Sequence, residues 1–188
     1  MLKFIKNKGY ICAMIYIESK QLILRTIQLK DLDFLFEVEN DADYFYLSDS
    51  FGPYTRLQLE NYIQNASTSI YKAKQYRFVI TTITENPIGF LDLYGYDANA
   101  KTVGLGIIIY DKKFRNKGLA KQAIKLIIDY CFYELGLKHI EVAVLATNEN
   151  SLLLFTSLGF AKYDEKMVWN RYLKEYKLMH YFNLSKNN

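Results

Sequence analysis

The stretch Gly104–Ala120, with the sequence GLGIIIYDKKFRNKGLA, constrains the fold of this chain more than any other segment. It begins within an almost entirely apolar run, Thr102–Tyr110, which predicts a strand in the middle of a sheet. A basic loop follows, and Gly118 then begins the longest amphipathic helix that the sequence predicts, Gly118–Leu135. A buried strand that leads through a loop into such a helix predicts a mixed α/β fold with a packed sheet.

The junction between this strand and this helix has the chemistry of an anion site. The first backbone N–H groups of a helix lack partners within the helix and lie at the positive end of its dipole. Gly118 has no Cβ to keep a ligand away, and Arg115 and Lys117 add positive charge. The segment matches neither the P-loop pattern nor the dinucleotide fingerprint. The residues therefore predict a phosphate or pyrophosphate ligand, with a solvated basic turn as the alternative.

The rest of the chain alternates between helical and strand periodicity. From Gln21 onward the predicted order is β-α-α-β-β-β-α-β-α-β-β, without a linker, repeat or low-complexity block. We expect one domain over residues 21–184 and a short tail over 185–188. Residues 1–20 are predicted to be an N-terminal extension, whose apolar stretch Tyr10–Ile17 is too short to span a bilayer. Within it, Met14 is a second candidate start, which leaves open whether residues 1–13 belong to the native protein.

Composition and charge exclude several classes of protein. With 51% hydrophobic residues, 16% aromatic residues and only two prolines among 188 residues, the chain is predicted to be compact rather than disordered. Its net charge of +4 suits a small anionic ligand better than a nucleic-acid groove. Cys12 and Cys131 form no disulfide framework, which favours a cytoplasmic location, and His139 and His180 do not complete a metal-ligand cluster. We therefore expect no metal, no nucleic acid and no membrane partner.

Two short motifs resemble a known family. Arg115–Ala120, RNKGLA, matches the Q/R-x-x-G-x-G/A motif of the GNAT superfamily of acetyl-CoA-dependent N-acetyltransferases. Asn148–Ser151, NENS, and Ser157–Phe160, SLGF, resemble the second signature of that superfamily. The resemblance covers nearly the whole chain from Gln21 and is closest to the Rim-type ribosomal-protein and polyamine (spermidine and diamine) acetyltransferases. It implies a mixed, mostly antiparallel sheet splayed into a V, with helices on both faces and acetyl-CoA in the cleft.

The resemblance also assigns cofactor contacts to individual residues. The pantetheine arm would extend the sheet like a short strand, held by backbone groups of Ile107, Ile108 and Ile109. The pyrophosphate would be held by main-chain N–H groups of Arg115, Asn116, Lys117, Gly118, Leu119 and Ala120. The second signature would fix the far arm of the cofactor through Asn148 and Ser151, and Phe155 of the same segment would also contact the cofactor.

At two positions the chain departs from the pattern of the family. Phe155 stands where many relatives carry a tyrosine that protonates the departing sulfur, and a phenyl ring cannot donate a proton. A thiol with a pKa of about 8.5 nevertheless leaves readily as the thiolate. Gly104 stands where similar polyamine acetyltransferases tend to carry an acidic residue, which weakens the match to that branch.

Amide formation requires a neutral amine. For a lysine-like amine with a pKa of about 10.4, only on the order of a few molecules in ten thousand are neutral at pH 7, so a proton must be removed. Asp92, in the apolar strand segment Phe90–Tyr94, is the candidate base, acting through water, and an outward-facing carboxylate is the alternative. Tyr94, Glu39 and Asp41 are candidate contacts for the acceptor. For the two acids, a solvated helix end is the alternative.

The sequence thus predicts an acyltransferase that moves acetyl from acetyl-CoA to a primary amine by direct attack. The acceptor class stays open between a small amine and a protein N-terminus or lysine, and homo-oligomer formation is also open. A non-catalytic CoA-binding or regulatory module of the same fold is the alternative function, because Phe155 cannot donate a proton and no base is obvious.

Overall fold

The computed structural model describes residues 15–47, 53–66 and 69–186, so residues 1–13 and Met14 lie outside the described residues. The strands, numbered in chain order, are β1 (Tyr16–Glu18), β2 (Leu22–Thr26), β3 (Tyr76–Thr82), β4 (Pro87–Asp97), β5 (Thr102–Ile109), β6 (His139–Leu145), β7 (Ala161–Asn170) and β8 (Glu175–Ser185). The α-helices are α1 (Leu32–Glu39), α2 (Arg56–Asn65), α3 (Ile70–Ala73), α4 (Leu119–Asp129) and α5 (Glu149–Thr156).

The strands form one sheet in the order β1-β2-β3-β4-β5-β6-β8-β7. Neighbouring strands are antiparallel from β1 to β5 and again between β7 and β8, whereas β5 and β6 are parallel. The predicted mixed, mostly antiparallel sheet of the GNAT type is therefore confirmed.

The chain consists of two compact units. The first comprises Met1–Ile27, Asn65–Glu141 and Leu184–Asn188, and the second comprises Gln28–Gln64 and Val142–Asn183. Within the described residues, the first unit holds strands β1 to β5 with α3 and α4. The second unit holds α1, most of α2, α5, β7 and most of β8.

The core of the first unit forms where one face of the sheet meets α4 and the turn after it. Phe78 and Leu91 are paired across β3 and β4, and neither is exposed to solvent. The ring of Phe78 meets that of Tyr130 edge-on at a centroid distance of 6.1 Å. The apolar stripe predicted for the helix is present, since Ile124 and Ile127 of α4 are fully buried.

Two local features differ from the sequence prediction. The predicted helix Gly118–Leu135 is not α-helical throughout, because α4 ends at Asp129 and a π-helical turn, Tyr130–Glu134, follows. There the N–H of Leu135 donates to the carbonyl of Tyr130, and the widened turn carries three buried side chains, Tyr130, Cys131 and Phe132. Strand β1 was not predicted either. It pairs with β2 and completely buries Ile17.

Strands β4 and β5 approach each other closely at Gly89. A Cβ on residue 89 would overlap the carbonyl oxygen of Ile108 and lie 3.0 Å from the Cα of Ile109. Both obstacles are backbone atoms of β5, so neither can move away as a flexible side chain would. Glycine at this position therefore sets the spacing between β4 and the end of β5.

We expect Gly89→Ala to destabilise the protein by about 1–3 kcal/mol, because the added methyl group forces the two strands apart. Gly106→Ala is the matched control, since a Cβ there meets only the ring of Tyr94 at 3.9 Å. Urea unfolding followed by circular dichroism measures both variants. Equal free energies of unfolding for Gly89→Ala and the parent protein would show that the close approach of the two strands does not limit the residue at position 89.

Candidate functional site

The end of β5 has a partner strand along only one of its edges in the described pairing. β5 pairs with β4 as far as Ile109, whereas its parallel pairing with β6 comprises three residue pairs and ends at Gly104↔Glu141. The five residues from Leu105 to Ile109 therefore continue beyond the last pair with β6. An extended ligand can add to such an edge through backbone hydrogen bonds. The predicted pantetheine contacts, Ile107, Ile108 and Ile109, lie in this segment.

Arg115 folds back onto the end of the same strand. Its Nε donates to the carbonyl oxygen of Ile109 at 2.8 Å, and its Nη2 donates to that of Tyr110 at 3.1 Å. The N–H of Tyr110 donates in turn to the carbonyl of Ile88 on β4 at 2.9 Å. These bonds hold a guanidinium charge at the point where β5 ends and the basic loop begins.

The loop then turns sharply into α4. Asn116 and Gly118 both have left-handed backbone conformations, with φ of 58° and 75°. Gly118 is the N-cap residue and has no side chain to accept from the first turn, so the N–H groups of Leu119 and Ala120 are placed to bind an anion. The ammonium of Lys117 lies 5.6 Å from the centre of the Phe114 ring. The geometry of this turn fits the predicted binding of a pyrophosphate by Arg115–Ala120.

In the second unit, the second signature forms the start of α5. The Oδ1 of Asn148 accepts from the backbone N–H of Ser151 at 3.1 Å, which caps the helix. Phe155 is buried and meets Phe160 edge-on at 5.3 Å. These contacts give Asn148 and Phe155 structural roles. Their predicted roles toward the cofactor, and that of Ser151, stay predictions.

Asp92 lies in an ion pair that the sequence did not reveal. Both of its carboxylate oxygens accept from Arg77 on the neighbouring strand β3, one from Nε at 2.7 Å and one from Nη2 at 2.9 Å. The guanidinium also lies 5.3 Å from the centre of the Phe90 ring. Asp92 is half-buried, so its side chain is held in one orientation while solvent still reaches it. Arg77 was missed because its position opposite Asp92 depends on the strand register.

Tyr94 and Gly104 form one contact. They lie directly opposite each other on β4 and β5, and a Cβ on residue 104 would overlap the ring of Tyr94. The position at which similar polyamine acetyltransferases tend to carry an acid is therefore covered here by a phenol ring. That ring is 44% exposed, so it presents an apolar surface with a polar hydroxyl to solvent.

Glu39 and Asp41 lie at the end of α1 in the second unit, and both are half-buried. Asn40, which lies between them in the sequence, makes two hydrogen bonds to the backbone of Tyr54. Its Oδ1 accepts from the N–H of Tyr54 at 2.6 Å, and its Nδ2 donates to the carbonyl of Tyr54 at 3.1 Å. The Oδ1 of Asp41 accepts from the N–H of Asp43 at 2.9 Å. Asp41 therefore stabilises the turn, and a contact between either acid and an acceptor stays a prediction.

Three further findings concern the buried cysteine, metal ions and membranes. Burial raises the pKa of the Cys131 thiol, which disfavours the thiolate that an acetyl-cysteine intermediate would require. Among the residues that the structure describes, no cluster of three or more His, Cys, Asp or Glu side chains could hold a metal ion. No helix of the described part of the chain has the length and apolarity that a membrane crossing needs.

Comparison with known proteins identifies related sequences and folds. The sequence profile of the "Acetyltransferase (GNAT) domain" family matches residues 21–161. The chain is 30% identical to the "Uncharacterized N-acetyltransferase p20" of Bacillus licheniformis, over 77% of this chain and 81% of that protein. It is 26% identical to the spermidine N(1)-acetyltransferase of Escherichia coli K12, over 77% and 75% of the two chains. The crystal structure of a spermidine N-acetyltransferase from Vibrio cholerae in complex with CoA and spermine has a TM-score of 0.79 and 23% identity, over 89% of this chain and 96% of that one.

We expect Gly118→Ala to weaken the binding of CoA at least tenfold, because a φ of 75° strains any residue with a Cβ and the turn must rearrange. Gly136→Ala is the matched control, since Gly136 has a φ of 65° and equally open surroundings but ends the helical segment instead of beginning it. Calorimetric titration with CoA measures the affinity, and thermal unfolding confirms that both variants lose similar stability. Unchanged affinity in Gly118→Ala would contradict the assignment of this turn to the pyrophosphate.

Proposed function

The chain belongs to the GNAT acetyltransferase family and is an N-acetyltransferase that uses acetyl-CoA, and we propose that its acceptor is an aliphatic amine carrying more than one positive charge. We further propose that residues 21–184 work as one catalytic domain. A cytoplasmic setting is part of the proposal, because the two cysteines cannot supply a disulfide framework and Cys131 is a buried thiol.

In this proposal, CoA is held by backbone groups along its length. The edge of β5 at Ile107–Ile109 binds the pantetheine arm, and the first turn of α4 binds the pyrophosphate. The observation that carries this assignment is the coincidence of two features within the fourteen residues from Leu105 to Gly118. β5 runs past its last pair with β6, and α4 then begins at a residue that has no capping side chain. Bound there, acetyl-CoA supplies a thioester as the acetyl donor.

The acceptor class is inferred from charge. Six of the thirteen residues from Asp31 to Asp43 are acidic and none is basic, although the chain as a whole has a net charge of +4. Such a segment attracts a cationic acceptor and raises its local concentration. The relatives named for spermidine support the same class. Since Gly104 brings no carboxylate, the second charge of the acceptor would be bound by Glu39 and Asp41.

We propose that Asp92 accepts the proton of the attacking amine through water. Arg77 occupies one acceptor direction of each carboxylate oxygen, and a carboxylate has about four such directions, so the remaining ones are available to water. The pair with Arg77 fixes where that water binds. Because the amine must be neutral when it attacks, this proton transfer is worth a factor of roughly 10²–10⁴ in rate.

The proposed acceptor class is tested with a panel of amines. We expect the CoA thiol to be released faster with spermidine than with butylamine, which carries one charge. Release should also be faster than with a peptide that has a free N-terminus and only uncharged side chains. Glu39→Gln/Asp41→Asn should raise the KM for spermidine by roughly two- to thirtyfold and barely change that for butylamine, since each partly exposed pair is worth about 0.2–1 kcal/mol. Glu85→Gln/Asp97→Asn is the control with the same change in net charge.

Either of two results would refute the acceptor class. One is a preference for the peptide or for butylamine, and the other is an equal rise in KM for mono- and polyamine. Because turnover of any amine still reports acetyl transfer, a failure here is distinguishable from inactivity of the enzyme.

The role of Asp92 predicts a pH-dependent defect. Asp92→Asn should lower kcat/KM by roughly 10²–10⁴ at pH 7. The deficit should shrink toward pH 10, because the neutral fraction of an amine with a pKa of about 10.4 rises almost tenfold per pH unit. Asp97→Asn is the matched control, since that carboxylate only accepts from backbone N–H groups of its own turn, those of Asn99 and Ala100. A loss that is constant with pH would instead indicate a purely positional role.

A further inference from the structure

Three neighbouring strands of the first unit place Tyr94, Gly104 and Glu141 in one row across the sheet. Tyr94 of β4 is paired with Gly104 of β5, and Gly104 is paired in turn with Glu141 of β6. Paired residues lie on the same face of a sheet, so the phenol ring and the carboxylate flank the glycine on one face. This face is opposite to the core, because the preceding residues in the two outer strands, Leu93 and Ile140, are buried.

The middle strand of this row brings no side chain between the ring and the carboxylate. The ring of Tyr94 lies over Gly104, since a Cβ on residue 104 would overlap three of its atoms. The backbones of Tyr94 and Glu141 are two strand spacings apart, about 10 Å. The ring therefore covers the strand that lies between them, and a small group bound on the ring is within reach of the Glu141 side chain.

The same face continues as an open surface toward the proposed base. Gly106 is paired with Asp92 and directly precedes the proposed pantetheine edge, Ile107–Ile109. Among the described residues, a Cβ on residue 106 would meet only an atom of the Tyr94 ring, at 3.9 Å. The two glycines lie about 7 Å apart along β5. An aliphatic acceptor whose reacting amine lies near Asp92 can therefore extend over both glycines to the Tyr94 ring.

Glu141 differs from the neighbouring acids in its contacts. Asp92 accepts from Arg77, and Asp97 accepts from backbone N–H groups of its own turn. Glu141 is half-buried, and within the part of the chain that the structure describes its carboxylate has neither a hydrogen-bond donor nor an ion-pair partner. A partly desolvated carboxylate without a partner is held at a cost in free energy, which a bound cation removes.

We propose that Glu141 and the face of the Tyr94 ring bind one ammonium group of the acceptor. The carboxylate accepts from the N–H groups, and the ring attracts the charge and covers the adjoining methylene groups. This inference rests on the proposed acceptor class and makes it more specific. When one nitrogen of a triamine reacts, two charges remain, so this site adds a second cation contact to the one proposed for Glu39 and Asp41.

The carboxylate is tested by the KM for spermidine and for butylamine, followed by release of the CoA thiol. Glu141→Gln should raise the KM for spermidine by roughly two- to fivefold. The KM for butylamine should not change, because butylamine has no further charge to bind. Glu134→Gln is the matched control, since it makes the same change in net charge at an exposed position in the π-helical turn, and it should change neither KM.

The ring is tested separately from the carboxylate. Tyr94→Leu should raise the KM for spermidine by roughly two- to fivefold, whereas Tyr94→Phe should retain the parent value, because a phenyl face still attracts a cation. Gly104→Ala should resemble Tyr94→Leu, since the added Cβ displaces the ring. Far-ultraviolet circular dichroism shows whether each variant is folded. Equal KM values for Tyr94→Leu and Tyr94→Phe would overturn the role of the ring.

The outcomes separate this site from the acceptor class on which it rests. If the parent protein does not prefer spermidine to butylamine, the acceptor class is refuted and this site with it. If the parent prefers spermidine and Glu141→Gln retains the parent KM, the acceptor class stands and this site is overturned. An equal rise in the two KM values for Glu141→Gln would also overturn the site, because the lost contact would not depend on a second charge.

Discussion

The unequal pairing of β5 is the constraint on which the rest of the site depends. The strand pairs with β4 from Thr102 to Ile109, with one register irregularity between Tyr94 and Asp97 of β4, whereas its pairing with β6 ends after three residue pairs. The close approach at Gly89 keeps the end of β5 pressed against β4, so the segment from Leu105 to Ile109 is rigid on one side. A rigid strand edge can bind an extended ligand without first having to become ordered.

The charges near this edge are also held in place. Arg115 bonds to the last carbonyl groups of the strand, and the left-handed turn at Asn116 and Gly118 directs the chain into α4. The chain thus passes from the end of β5 through Arg115 to the N-terminus of α4 within eleven residues, Ile109 to Leu119. An arrangement so local in sequence depends little on the remainder of the fold, which explains why a short motif is enough to recognise it.

The fold was predictable because its elements have strong local signals. The apolar strand β5, the apolar stripe of α4 and the glycine that precedes the helix all follow from periodicity and backbone preference. The π-helical turn at Tyr130–Glu134 was not predictable, because it depends on how its three buried side chains pack in the folded protein. Strand β1 was missed because three residues are too few to show a period.

The site was predictable only in part, because only some of its contacts depend on local sequence. The predicted main-chain contacts to a phosphate follow from a loop and a glycine, whereas the partner of Asp92 depends on which residue of β3 lies opposite it. The contact of Tyr94 with Gly104 is likewise set by register. The proposed acceptor contacts Glu39 and Asp41 rest on the acidic composition of the segment around α1, which indicates a charge but not how a ligand would contact it.

The central claim is that backbone groups of β5 and of the first turn of α4 bind CoA, and amide hydrogen exchange with and without CoA tests it most directly. The account predicts slowed exchange in two short segments, Ile107–Ile109 and Lys117–Ala120. The N–H of Tyr71, which already donates to the Ser69 side chain at the start of α3, should be unaffected. Saturating CoA that leaves both segments unchanged, or that protects a different part of the chain, would contradict the account.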